Sequence, residues 1–142
     1  MPGNGKLFMK KTAAFLSLLI LLMMLGGCRM IKIEEAERTP LKYTVADRSQ
    51  IPEEAAKLIE EKKEKEFQMA YQKGEDLYLI KGYGRQMSGG YSIQVTDLSA
   101  SVNAVFFETK LIGPTEEVQG GEPSYPYIVV KTEYRDVPVQ FR

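Results

Sequence analysis

Between Gly82 and Tyr91 the chain reads GYGRQMSGGY, four glycines in ten residues. Such a stretch lets a ligand or another backbone come very close, because glycine has no Cβ. Phosphate binding is the first chemistry to weigh. A dinucleotide fingerprint needs G-x-G-x-x-G opening a helix, but Met87 stands where the third glycine belongs and a strand pattern follows. A P-loop needs G-x-x-x-x-G-K-[ST]. Gly84 to Gly89 has that spacing, yet Gly90 and Tyr91 occupy the lysine and hydroxyl positions. Without a helix N-terminus, lysine or magnesium-binding hydroxyl, little is left to hold a phosphate. The stretch also reads as a plain connection between two strands, with Ser88-Gly89-Gly90 as its turn. A third reading is a protein-contact loop, since Arg85, Met87 and Tyr91 are a guanidinium, an adaptable thioether and an amphipathic ring. Tyr125-Pro126-Tyr127 adds two rings and a rigid φ, which equally suit a strand start with core tyrosines. The candidate contact residues are Arg85, Met87, Ser88, Gly89, Gly90, Tyr91, Tyr125 and Pro126.

Catalytic constellations are scarce. The 142-residue chain has no histidine and one cysteine, so Ser-His, Cys-His and histidine-based metal sites are absent. Most acids fall in a helix or in polar stretches that read as solvated surface. Glu116, Glu117 and Glu122 could attract calcium weakly, but no spaced acidic ligand loop is present. The reading is of a non-enzyme without cofactor or metal.

The one cysteine lies where it changes the meaning of the N-terminus. Lys6, Lys10 and Lys11 precede an apolar run from Ala13 to Leu25, and Gly26-Gly27-Cys28 follows. A charged region, an apolar region and small residues make a secretory signal peptide over residues 1–27; the run is short of the ~20 apolar residues that span a bilayer. Met9 would serve as a start as well as Met1. LGGC resembles the bacterial lipobox, which implies a diacylglyceryl group on Cys28 and cleavage before it. Acylation by two or more chains gives stable anchoring at ~0.8 kcal/mol per buried methylene. The expected location is therefore a bacterial cell membrane, facing outside the cytoplasm. Beyond Gly27 the chain has 16 basic and 19 acidic residues, a balance that does not attract nucleic acid or an anionic bilayer.

These features need a domain to position them. Residues 28–40 are charged and lack a clean period, as a tether would, which leaves 41–142 as the domain. Leu41, Tyr43 and Val45 alternate as a short strand. Ile51, Ala55, Leu58 and Ile59 form one helical stripe after an acidic, proline-containing start, and the helix should end near Lys65. Phe67, Met69 and Tyr71 then alternate, favouring a strand of a hairpin that turns at Gln72 to Glu75 and returns over Leu77 to Tyr83. Tyr91, Ile93 and Val95 make the cleanest half-buried strand, followed by Val102 to Ile112 ended by Gly113-Pro114. After the polar loop Thr115 to Pro123, Tyr125 to Lys131 carries the continuous run Ile128-Val129-Val130, the mark of a central strand. Val137, Val139 and Phe141 alternate last, with Pro138 confining that segment to an edge. The predicted class is α+β: one N-terminal helix packed on a mainly antiparallel sheet or small β-sandwich of six to seven strands.

Three segments together, GYGRQMSGGYSIQV, Gly113-Pro114 and SYPYIVVKT, resemble the PrcB C-terminal domain family, over about Tyr43 to Phe141. Met87-Ser88 departs from the proline-threonine of that pattern. The resemblance implies an accessory lipoprotein that associates with a surface protease and supports the stability of the complex. A different class stays open beside it. SGGY on a β-domain turn is reminiscent of inhibitors that insert a T-G-Y loop into cysteine-protease clefts.

Overall fold

The computed structural model describes residues 37–116 and 121–142. They form a mainly β structure with one short α-helix. The strands are Thr39–Pro40 (β1), Tyr43–Val45 (β2), Glu66–Lys73 (β3), Asp76–Tyr83 (β4), Ser92–Ala100 (β5), Val105–Ile112 (β6), Tyr127–Glu133 (β7) and Val139–Phe141 (β8). The helix, Glu53–Lys62 (α1), follows a 3-10 turn at Arg48–Gln50.

The eight strands make two sheets of four, ordered β1-β5-β6-β8 and β2-β7-β4-β3. All pairings are antiparallel except β6 with β8. The strand count exceeds the predicted six to seven, and the helix comes after two strands and not before the sheet. The extra strand arises where the chain changes sheets. Leu41 N–H donates to the Leu98 carbonyl of the first sheet, whereas Tyr43 to Val45 pair with β7 of the second. What alternates like a single strand is thus divided between two sheets. β1 is too short to show a period, and it lies within the stretch expected to act as tether.

Leu77 and Leu79 of β4, Ile128 and Val130 of β7, Leu98 and Ala100 of β5, and Val105 and Phe107 of β6 form the core between the sheets. On the other face of the second sheet, Ala55 and Ile59 of α1 cover Tyr78, Ile80 and Val129. β4 and β7 are therefore buried on both faces, which accounts for their unbroken apolar runs. The helical stripe and the β3–β4 hairpin match expectation. Gly74, at φ +62°, opens the two-residue hairpin turn, a position where glycine meets no steric penalty.

Two segments depart from it. The strand expected from Val102 begins at Val105, because Ser101 to Ala104 form the β5–β6 turn, with Ser101 N–H donating to the Ala104 carbonyl at 2.9 Å. Tyr43 and Val45 are exposed despite their alternation, since β2 is an edge strand. The register then fixes two ends. β5 and β6 start and finish opposite each other, Ser92 with Ile112 and Ala100 with Val105. The end with Ser92, Ile112, Tyr83 and Tyr127 carries the glycine-rich loop. The end with Ala100 and Val105 receives the chain at Thr39.

Candidate functional site

Residues 84–91 carry the chain from β4 in one sheet to β5 in the other, so the connection is a crossover and not a hairpin. Its first half is fastened to the backbone. Tyr83 N–H donates to the Pro126 carbonyl at 3.0 Å, prolonging the β4–β7 ladder by one residue. Gly84 then adopts φ +73°, with its Cα so close to the start of β3 that a Cβ would lie 2.9 Å from Glu66 N and 3.0 Å from Lys65 C. Arg85 N–H donates to the Glu64 carbonyl at 3.1 Å. Gln86 and Ser124 exchange backbone hydrogen bonds of 2.8 and 3.1 Å, and the Gln86 side-chain amide donates to the Tyr83 carbonyl at 3.0 Å.

The second half packs on the end of β6. Ser124 hydroxyl donates to the Ser88 carbonyl. Gly90, at φ +86°, faces Pro114, whose Cβ would be 3.0 Å from a side chain added there. The ring of Tyr91 lies over Gly113, 3.7 Å from the corresponding Cβ position. Inside the sandwich the Tyr83 and Thr109 hydroxyls share a hydrogen bond that joins the two sheets beneath the loop.

The structure therefore brings together at one end the segments singled out by sequence: the glycine loop, Gly113-Pro114 and Ser124-Tyr125-Pro126. Within this cluster the candidates differ. Arg85, Gly89 and Gly90 are exposed, and Met87 is 80% exposed, the largest apolar projection of the loop. Ser88 is buried, its hydroxyl donating to the Gly89 carbonyl at 3.3 Å. Tyr91, Tyr125 and Pro126 are half-buried. Gln86 and Ser124 lie inside segments singled out by sequence without being among the candidate contacts, and Glu64 lies outside them, because nothing local signals a bridge between residues so far apart in the chain.

The close approach is made by the protein itself: by backbone at Gly84, by the Phe67 ring at Gly82 and by the Pro114 side chain at Gly90. The amides of Tyr83, Arg85 and Gln86 already donate to carbonyls within the chain, and the loop leads into a strand and not into the helix N-terminus at which phosphates are commonly held. Electrostatically the neighbourhood is mixed. Lys63 Nζ lies 2.9 Å from Glu60 and 5.0 Å from the centre of the Tyr125 ring, and the Glu60 hydrogen bond raises its pKa above the ordinary lysine value. Beside this cluster a groove of about 420 Å³ runs between Asp47, Arg48 and Ile51 on one wall and Tyr125, Pro126 and Ile128 on the other. It opens where β2 stops: the Ala46 N–H reaches the Val129 carbonyl at 2.9 Å, and β7 continues toward Tyr127 without that neighbour. Asp47 holds the groove's 3-10 wall in a capping box with Gln50. Its carboxylate pKa is lowered chiefly by the Ser49 hydroxyl.

Among the described residues no group of three or more histidine, cysteine, aspartate or glutamate side chains is placed to hold a metal ion. Glu117 lies outside the described residues, as do Cys28 and the stretch read as a signal peptide. No described helix is long and apolar enough to cross a membrane.

The family model described as PrcB C-terminal matches residues 77–133. The match is narrower than the Tyr43 to Phe141 span of the resemblance, and it runs from the second residue of β4 to the last of β7. It thus takes in the central strands of the second sheet, the β5–β6 hairpin and the whole loop cluster. No curated protein and no solved structure matches the chain.

Proposed function

We propose, from the match of residues 77–133 to the PrcB C-terminal family model, that this chain is a lipid-anchored, extracytoplasmic accessory subunit that binds and stabilises a surface protease. Cys28 is the anchor, and the partner surface is the loop end of the sandwich. One observation carries the placement: the three segments most distinctive in sequence, far apart in the chain, meet at that end with Arg85 and Met87 projecting from it. Tyr125 and Pro126, at the mouth of the adjoining groove, extend the surface. An aromatic, arginine and methionine composition suits a protein interface. The family describes a protease-associated domain and no catalytic one, and the chain has no histidine and no second cysteine to build a hydrolytic centre.

The test is a pull-down from crosslinked cells with the lipidated protein, beside Cys28→Ala and a double Arg85→Ala, Met87→Ala variant. Recovery of a protease by the wild type, lost in the double variant at unchanged melting temperature, supports the reading. Equal recovery by both moves the interface elsewhere. Purified domain titrated against the recovered protease separates the roles: stoichiometric loss of activity identifies an inhibitor, and prolonged activity identifies an accessory subunit.

A further inference from the structure

The two ends of the sandwich differ in what they offer a membrane. β5 spans nine residues from the loop end to the end where the chain enters, roughly 30 Å at the rise of a strand. At the latter end Glu37, Arg38, Val102 and Arg135 surround a shallow hollow of about 360 Å³. Val102 forms the tip of the β5–β6 turn and is 87% exposed. The turn is held by the Ser101 hydroxyl, which donates to the Asn103 side chain at 2.9 Å, besides its backbone bond. The point of entry is pinned as well. The Arg38 guanidinium lies 3.9 Å over the buried Phe106 ring and 3.5 Å from Asp97, so the chain cannot peel away from the sheet without losing both contacts.

We propose that the domain stands on the membrane on this end, with Val102 entering the headgroup region and the glycine loop held away from the bilayer. The inference rests on lipid anchoring at Cys28. Nine residue steps separate Cys28 from Glu37, at most about 30 Å of fully extended chain. That length is close to the height of the sandwich, so turning the loop end toward the bilayer requires a nearly taut linker, which costs chain entropy. Standing on the entry end requires no extension. A lone exposed valine is ordinary on a protein surface; here it is the most exposed large apolar side chain among the described residues, on the end that the linker draws down. Arg135 beside it can lay its stem on apolar surface while its guanidinium stays among headgroups.

The experiment uses lipidated full-length protein with Val102→Cys or Met87→Cys. Lipid occupies the Cys28 thiol, so the introduced thiol alone takes a fluorophore. The proteins are bound to phosphatidylcholine–phosphatidylglycerol vesicles containing headgroup-quencher lipids. Several-fold stronger quenching at position 102 than at 87 is the expected result. Equal quenching, or stronger quenching at 87, overturns the orientation while leaving the anchor in place. Failure to bind vesicles, with mass spectrometry showing unacylated Cys28, overturns the anchor reading and the proposal with it.

Discussion

Replacing Gly84 by alanine tests the account of the loop most directly. The residue sits at φ +73°, and its missing side chain would meet the backbone of Lys65 and Glu66 at 3.0 and 2.9 Å. The left-handed conformation costs a residue with a Cβ about 1–2 kcal/mol. The contact adds about 1–3 kcal/mol, because backbone atoms cannot rotate aside as a flexible side chain would. Together these amount to about 2–5 kcal/mol, against the ~5–15 kcal/mol that holds a typical domain together. At about 4–8 °C per kcal/mol for a domain near this size, the melting temperature should fall by about 10–40 °C. Gly89, five residues away, provides the control. It has no positive φ and nothing within 4 Å of its Cβ position, so Gly89→Ala should change stability by less than about 0.5 kcal/mol. Urea and thermal unfolding followed by far-ultraviolet circular dichroism measure both. A Gly84→Ala protein that melts with the wild type, or a Gly89→Ala protein that loses as much, would refute the claim that the glycines serve the chain's own packing.

Removing the Ser124 hydroxyl, which donates to the Ser88 carbonyl, should cost about 1 kcal/mol in urea unfolding and should weaken partner recovery by loosening the loop. The Tyr71 hydroxyl donates to Glu54 at 3.0 Å, and this hydrogen bond raises its pKa above the ordinary 10.0. Its contribution is present below pH 10.0 and is lost as pH rises through the raised folded value. The stability advantage of wild type over Tyr71→Phe should therefore shrink in alkaline melts and stay constant near neutrality; an advantage that grows with pH would contradict the assignment.

How much was legible in the sequence depended on the range of the interaction that decided each feature. Ile51, Ala55 and Ile59 marked the helix face, and Phe67, Met69 and Tyr71 marked a strand directly after it, because periodicity is set by neighbours within a few residues. The run Ile128-Val129-Val130 announced a central strand, since burial on both faces leaves no polar position. By contrast Val102, apolar and next to a strand, read as part of it although it tips a turn. The loop residues were recognisable as unusual, but the bridge between Gln86 and Ser124 that binds the loop in place carries no local mark.

From its own order of residues the chain determined its helix and most of its strands, the absence of histidine and the presence of a single cysteine. Those properties are composition, spacing and short-range period. Only the tertiary structure decided that Leu41 and Tyr43 pair in different sheets, that β8 lies parallel to β6, and that Gly84 presses on the backbone of Lys65 and Glu66. It likewise decided that Gly82 to Tyr91, Gly113-Pro114 and Ser124 to Pro126 share one end of the sandwich. Such facts depend on which distant strands hydrogen-bond to each other, and that choice is made by burying both faces of β4 and β7 at once.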